Sequence, residues 1–247
     1  MLLRYQMEVQ GNFLFKYRGV LPVLLIPPGL ALLYFQINSH PSFSWISFFS
    51  YYKWVCLATI VLGQLIRFYA IGYTPRSTSG RNTQVQVADV VNSTGIYSCV
   101  RHPLYLGNFF MALGVAMLSC DFLFIVIYVL LFWIYYERIM YAEEQFISKK
   151  FDQKLENWAN KTPTIVPDCK EFQKPNGDFN WKKIIRQEKN GLLGTFAIFV
   201  VFQLVENYAL HQKAFLGFDF WNIGLLVSGV TYLVVRLLTK KTRVLHD

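Results

Sequence analysis

The run Asp121-Phe122-Leu123-Phe124-Ile125-Val126-Ile127-Tyr128-Val129-Leu130-Leu131-Phe132-Trp133-Ile134-Tyr135-Tyr136-Glu137 decides the fold class. No Gly or Pro interrupts the chain from Asp121 up to Pro163. An unbroken apolar run of this kind reads as a membrane-crossing helix. Nothing stops it at the bilayer edge, so it is expected to continue to about Lys150. Its Trp and Tyr residues suit the membrane–water interface. Beyond them stands the pair Glu143-Glu144. At 3.6 residues per turn, Glu137, Tyr141 and Glu144 share one face. Glu143 points about 100° away, with Tyr136, Met140 and Ile147, so the two carboxylates cannot do the same job in the same direction.

Five further apolar segments surround this one, giving six candidate spans: about 20–37, 51–72, 104–120, 122–141, 191–210 and 220–238. The chain of 247 residues is 54% hydrophobic and 16% charged, where a soluble domain has roughly a quarter charged residues. The fold class is therefore all-α, a polytopic transmembrane helix bundle of about six spans. Pro22, Pro27 and Pro28 should kink or break the first span. Only the turn Ser119-Cys120-Asp121 joins the third and fourth, which makes them a tight antiparallel hairpin. Arg4, Lys16 and Arg18 precede the first span without a small-residue cleavage site, so that span is expected to be uncleaved.

The net charge of +9 would suit nucleic acid, but its distribution does not. With both termini in the cytoplasm and alternating spans, 22 of the 24 Lys and Arg fall on the cytoplasmic side. Only Lys53 and Lys213 lie outside. The positive-inside rule thus orients an integral, multi-pass protein, with its polar clusters on the cytoplasmic side and anionic lipid rather than nucleic acid as its charged partner. The expected organisation is an N-terminal segment with the first span over 1–50, a membrane core over 51–167, a cytoplasmic loop over 168–189, and a C-terminal pair of spans with a basic tail over 190–247. An amphipathic stretch near Trp181-Lys182-Lys183 is expected on the membrane surface. Cys56, Cys99, Cys120 and Cys169 are far apart, lack metal-ligand spacing and read as unpaired thiols with no structural metal.

Three polar pieces should meet on the cytoplasmic side. The first is the loop Thr74 to Asn82, with Arg76 and Arg81. The second is Gly95-Ile96-Tyr97 with Arg101-His102-Pro103-Leu104-Tyr105-Leu106-Gly107-Asn108. The third is Tyr141 with Glu143-Glu144. Cations, a His, hydroxyls, aromatic faces and carboxylates together suit a zwitterionic, nucleotide-like ligand. Arg or His takes a carboxylate, Glu accepts from a ribose or an ammonium, and Tyr faces surround a sulfonium. The loop with Arg76, Arg81 and Asn82 is rich in anion-binding groups and lacks carboxylates. It is the expected substrate-binding segment, for an anionic acceptor over an amine. The competing reading is that these arginines only set topology. Arg101 as a topology anchor, His102-Pro103 as a helix start, and Glu143-Glu144 as solvated residues are the corresponding plain readings. Gln64 and Arg67 either face the site, or Arg67 snorkels to the interface.

The order Gly95-Ile96-Tyr97, Val100-Arg101-His102-Pro103-Leu104-Tyr105-Leu106-Gly107, a span, then Ala142-Glu143-Glu144-Gln145-Phe146-Ile147 resembles the isoprenylcysteine carboxyl methyltransferase and phospholipid methyltransferase superfamily. Its pattern is G-x-Y-x-x-x-R-H-P-x-Y-x-G, a helix hairpin, and E-E-x-x-L. Ile147 stands where Leu is usual. The resemblance covers about 50–167. It implies an integral membrane enzyme using S-adenosylmethionine to methylate a lipid or lipid-modified acceptor. It also implies catalytic roles for Arg101, His102 and Tyr105, and cofactor contacts from His102, Pro103, Tyr105, Gly107, Glu143 and Glu144. The small members end soon after the proline-rich tail, and this chain adds about two spans. Gln203, Glu206 and Asn207 on the first of these either line a lipid entrance or reach the interface.

Methyl transfer from a sulfonium asks mainly for alignment and exclusion of water. A lipid phosphate or prenylcysteine carboxylate needs no general base, whereas an amine must first lose a proton. The anion-rich loop favours O-methylation of such an anionic group. A phosphatidylethanolamine-type N-methyltransferase is the nearest alternative. A second is an NADPH-dependent sterol-type reductase, whose block usually reads R-H-P-N-Y-x-G-E. Here Leu104 and Asn108 replace the Asn and Glu. A third is a non-enzymatic membrane protein, which would show no saturable S-adenosylmethionine binding.

Overall fold

The computed structural model describes residues 2–75, 90–151 and 153–242, and every regular element among them is helical. The α-helices are α1 (Leu3–Lys16), α2 (Ile26–Ser39), α3 (Trp45–Tyr73), α4 (Pro103–Met117), α5 (Phe122–Phe151), α6 (Gln153–Ala159), α7 (Trp181–His211) and α8 (Phe220–Lys241). Helices α3, α5, α7 and α8 are long and apolar enough to cross a membrane. Leu226, Val230 and Leu233 of α8 are each more than half exposed, an apolar exterior that suits lipid. The protein is an integral membrane protein built from helices.

The other two expected spans are helices, but shorter ones. Helix α2 has 14 residues and α4 has 15, which at 1.5 Å per residue reach roughly 21–23 Å, short of the roughly 30 Å hydrocarbon core. Proline sets both starts. Pro27 and Pro28 lie in the first turn of α2, after a 3-10 turn over Leu21–Leu25, so the first apolar segment is broken as its prolines predict. Pro103 opens α4. Helix α5 runs to Phe151 without interruption, as its lack of Gly and Pro predicts. It is hinged to α4 by a tight turn in which Cys120 adopts a left-handed φ of 55°. The Asp121 carboxylate accepts from Phe124 N at 2.7 Å.

Helices α3 and α4 touch backbone to backbone. A Cβ on Gly63 would lie 2.4 Å from the Gly107 carbonyl oxygen, and one on Gly107 would lie 2.7 Å from that of Gly63. Small residues at a crossing permit this approach. Two apolar cores flank the pair. One groups α2, α3 and α7 with Trp221, whose ring stacks on Phe199 at 4.2 Å. The other groups Phe15 of α1 with Tyr105 of α4 and Phe124, Tyr128, Phe132 and Tyr136 of α5. Helix α1, in the N-terminal segment ahead of the first apolar span, lies along the end of α5. Tyr135 donates to the Leu14 carbonyl at 3.1 Å, and Lys149 pairs with Glu8 at 2.6 Å.

Two expectations are corrected. Cys99 and Cys169 form a disulfide, while Cys56 and Cys120 are free. Seventy positions separate the bonded pair, so local spacing carried no sign of it. The chain after α6 folds back onto the segment before α4, bringing Asp168 N to the Cys99 carbonyl at 2.9 Å. The stretch Trp181-Lys182-Lys183, expected as an amphipathic part of a loop, is the first turn of α7. Lys183 is buried, and its Nζ donates to the carbonyls of Thr74 (2.8 Å) and Pro75 (3.2 Å) at the end of α3. On α7, Glu206 pairs with Lys53, and Asn207 donates to the Phe215 carbonyl at 3.0 Å. Gln203 donates to Asp219, whose carboxylate caps α8. These side chains join helices at the end of the bundle away from Arg101 and His102.

Candidate active site

Helix α4 begins where the returning chain straps the residues before it. Arg101 N donates to the Pro163 carbonyl at 2.9 Å and His102 N to the Thr164 carbonyl at 3.2 Å. His102 then holds the N-cap position and Pro103 the first turn. Pro needs no hydrogen-bond partner there. This fixes Arg101 and His102 at the mouth of α4, with Tyr105 one turn in, all facing α5.

The two carboxylates of α5 meet them from opposite sides. Glu144 accepts from Arg101 Nη1 at 3.1 Å and lies 2.9 Å from His102 Nε2. Glu143 accepts from the Tyr105 phenol at 2.7 Å and lies 3.8 Å from His102 Nδ1. Their divergence on the helix is thus used: one takes the Arg101 guanidinium and His102 Nε2, the other the phenol, and the imidazole stands between them. Arg101 Nη2 also donates to the Thr164 hydroxyl. Arg101 Nε is buried and has no hydrogen-bond partner among the described residues. Beside the polar cluster runs an aromatic wall. His102 stacks on Tyr105 at 5.7 Å, Tyr105 lies 4.8 Å from Tyr136, and Tyr136 stacks on Phe132 at 4.1 Å. Tyr97, in the 3-10 turn Gly95–Ser98, has its phenol pushed up to about 12, chiefly by burial, against the opposing bond to the Thr74 hydroxyl. It stays protonated and neutral across the physiological range.

A second network adjoins the first. Arg67 of α3 donates to Glu188 of α7 through Nε (3.2 Å) and Nη2 (2.6 Å), and through Nη1 to Asn108 Oδ1 at 2.7 Å. Asn108 Nδ2 donates to the Tyr136 phenol oxygen at 3.1 Å. Next to it, Gln64 donates to the Thr195 hydroxyl at 2.9 Å. Arg67 therefore faces inward rather than snorkelling.

Of the residues the sequence singles out, Arg101, His102, Tyr105, Glu143 and Glu144 come together in one cluster. Pro103 is fully buried at the start of α4. Gly107 faces α3, against Gly63 and the Arg67 side chain. Arg76, Arg81 and Asn82 lie outside the described residues. Thr164, Tyr136 and Glu188 carry no local sequence signal for the site, whereas Asn108 closes the polar stretch that begins at Arg101. A charged residue inside a span was signal enough to flag Arg67. Nothing marked Glu188, which reaches the site across 121 positions.

The donor set fits S-adenosylmethionine. The carboxylates suit ammonium and ribose groups, the aromatic faces suit a sulfonium, and the open Arg101 Nε–H suits a carboxylate. Among the described residues no group of three or more His, Cys, Asp or Glu could hold a metal ion.

Residues 54–148 match the isoprenylcysteine carboxyl methyltransferase (ICMT) family. The protein-S-isoprenylcysteine O-methyltransferase of Schizosaccharomyces pombe is 31% identical over 128 residues, covering 51% of this chain and 54% of that protein. That of Saccharomyces cerevisiae is 30% identical over 109 residues, 44% of this chain and 46% of that protein. That of Tribolium castaneum is 26% identical over 175 residues, 62% of each. The chain thus spans about half the length of the curated relatives it matches. No solved structure matches it. Both sequence blocks lie inside the matched segment, and the superfamily resemblance they carry is borne out.

Proposed function

We propose that this chain is a membrane methyltransferase that uses S-adenosylmethionine to O-methylate an anionic group on a lipid-modified acceptor. The acceptor class that its relatives' names favour is the carboxylate of an S-prenylcysteine; a lipid phosphate shares the chemistry. The observation that carries the reading is the Arg101–Glu144–His102 and Tyr105–Glu143 cluster, with one buried guanidinium N–H left open.

When bound, S-adenosylmethionine supplies an electrophilic methyl group on a sulfonium leaving group. The residues of the chain bind, orient and exclude water. Arg101 and His102 take a carboxylate at the rim. Glu144 keeps both of them aimed, and Glu143 holds Tyr105 in place and accepts from polar hydrogens. The wall of Tyr105, Tyr136 and Phe132 keeps the reacting atoms dry, and a positive charge is favoured over its ring faces. A carboxylate acceptor attacks in line as the anion, so no side chain need take a proton. Arg76, Arg81 and Asn82 are the acceptor-side residues in this reading, on the segment that leaves α3 after Pro75. Six apolar segments, both termini in the cytoplasm and the site on that side complete it, supported by the distribution of Lys and Arg.

The test is S-adenosylmethionine binding to protein in nanodiscs, with NADPH as control, followed by transfer of labelled methyl to farnesylcysteine, to phosphatidic acid and to phosphatidylethanolamine. Saturable binding that His102→Ala and Glu144→Ala abolish in folded protein, with label in farnesylcysteine, is expected. Folded wild type that binds NADPH and no S-adenosylmethionine would sink the reading. Label in phosphatidylethanolamine alone would replace O-transfer by N-transfer.

A further inference from the structure

Helix α7 lies beyond the matched segment, yet its Glu188 begins a hydrogen-bond relay that ends beside the site. A carboxylate only accepts and a guanidinium only donates. With Nε and Nη2 held by the two Glu188 oxygens, Arg67 turns Nη1 to Asn108 at 2.7 Å. Arg67 has no lone pair to offer, so the Asn108 amide must present its oxygen to it. The Asn108 NH2 then faces Tyr136 and donates to the phenol oxygen at 3.1 Å. The direction of every bond in the relay is therefore forced, and Tyr136 is its acceptor. The phenol proton is left over, and no described residue accepts it. Tyr136 is 2% exposed, and a buried donor without an acceptor is unfavourable. Its ring lies 4.8 Å from that of Tyr105, on the α4–α5 seam that carries the catalytic cluster.

We propose that Tyr136 donates a hydrogen bond to a carboxylate oxygen of a bound ligand, and that Glu188, Arg67 and Asn108 are positioning residues that fix its polarity. The inference rests on the methyltransferase reading. A carboxylate suits the position because the phenol, with a lone pair already engaged by Asn108, seeks a group that only accepts. Glu143 and Glu144 are engaged with Tyr105, His102 and Arg101. Two ligands of the reaction bear a carboxylate: the methionyl end of the methyl donor, and the prenylcysteine acceptor.

Two variants test this in the full-length protein. Tyr136→Phe removes the donor and keeps the ring stacked on Phe132. Asn108→Asp keeps the phenol but gives it an oxygen in place of the amide NH2, so the phenol turns its proton onto the new carboxylate and withdraws it from the ligand. Dissociation constants are measured for S-adenosylmethionine against its decarboxylated analogue, which keeps the sulfonium and the ammonium and lacks only the carboxylate, and for farnesylcysteine against its carboxamide. Both variants are expected to weaken one carboxylate ligand by about tenfold, as for one lost hydrogen bond, and its carboxylate-free counterpart by less than about twofold. Loss with S-adenosylmethionine assigns the bond to the donor, and loss with farnesylcysteine assigns it to the acceptor. Glu188→Gln is expected to shift the same ligand in the same direction. Equal loss for both members of a pair, or no loss with either, overturns the proposal. If wild type binds neither carboxylate ligand, the methyltransferase reading fails and this inference with it, a result seen before any variant is made.

Discussion

Arg101 and Glu144, 43 positions apart in sequence, meet at 3.1 Å across the seam between α4 and α5. The same carboxylate lies 2.9 Å from His102 Nε2. One side chain on α5 therefore sets the direction of both the Arg101 guanidinium and the His102 ring at the mouth of α4. The coupling implies that the three residues fail together rather than singly.

Glu144→Gln keeps the shape of the side chain and removes its charge. S-adenosylmethionine affinity is expected to fall roughly 10–100-fold, the range for losing a hydrogen bond to a charged group. Arg101→Gln in the same protein should add little further, because the two act as a unit. A double-mutant cycle on the dissociation constants checks this. Strict additivity of the two losses would contradict it.

Tyr105→Phe removes the phenol that donates to Glu143 and retains the ring between His102 and Tyr136. The fold should survive, at a stability loss of about 1 kcal/mol, while turnover falls by a larger factor than that stability change explains. Melting temperature and methyl transfer measured on one preparation separate the two effects.

Gly107→Ala should act on packing before chemistry. Its new Cβ would lie 2.5 Å from Arg67 Cγ and 2.7 Å from the Gly63 carbonyl oxygen. Overpacking of this kind costs about 1–3 kcal/mol. The expected signature is a lowered melting temperature in apo protein. Unchanged stability with lost cofactor binding would instead make Gly107 a ligand contact.

The Cys99–Cys169 disulfide closes a loop of 70 residues around α4, α5 and α6. Reduction, or Cys99→Ser with Cys169→Ser, is expected to lower stability by about 2–4 kcal/mol. It should also loosen the strap that bonds Arg101 N and His102 N. Thermal unfolding with and without reductant, read beside S-adenosylmethionine affinity, measures both consequences. Peptide mapping under non-reducing conditions identifies the bond directly.

What was legible in the chain followed from local signals. The unbroken reach of α5 to Phe151 could be read from the absence of Gly and Pro. The assembly of Arg101, His102 and Tyr105 with Glu143 and Glu144 could be read from two blocks in order. Other features depended on partners that no local pattern announces. Helix α1 has mixed polarity, and its place is set by contacts on α5 such as Gln10 with Arg138, 128 positions away. The disulfide needed the return of the chain after α6. The lengths of α2 and α4 were overestimated because their apolar runs extend past the turns that proline and left-handed Cys120 impose. Tyr136 read as an interface aromatic, since its partner Asn108 lies on another helix.

The pairing of Arg67 with Glu188 bears on how the chain is born. Ribosomes deliver α3 to the bilayer well before α7 exists, because 121 positions separate the two residues. At about 5–20 residues per second, the guanidinium waits roughly 6–24 s for its carboxylate. An arginine left unmatched within an apolar helix disfavours insertion. The final depth of α3 is therefore disfavoured until α7 arrives, and Glu188→Gln is expected to lower the yield of inserted protein.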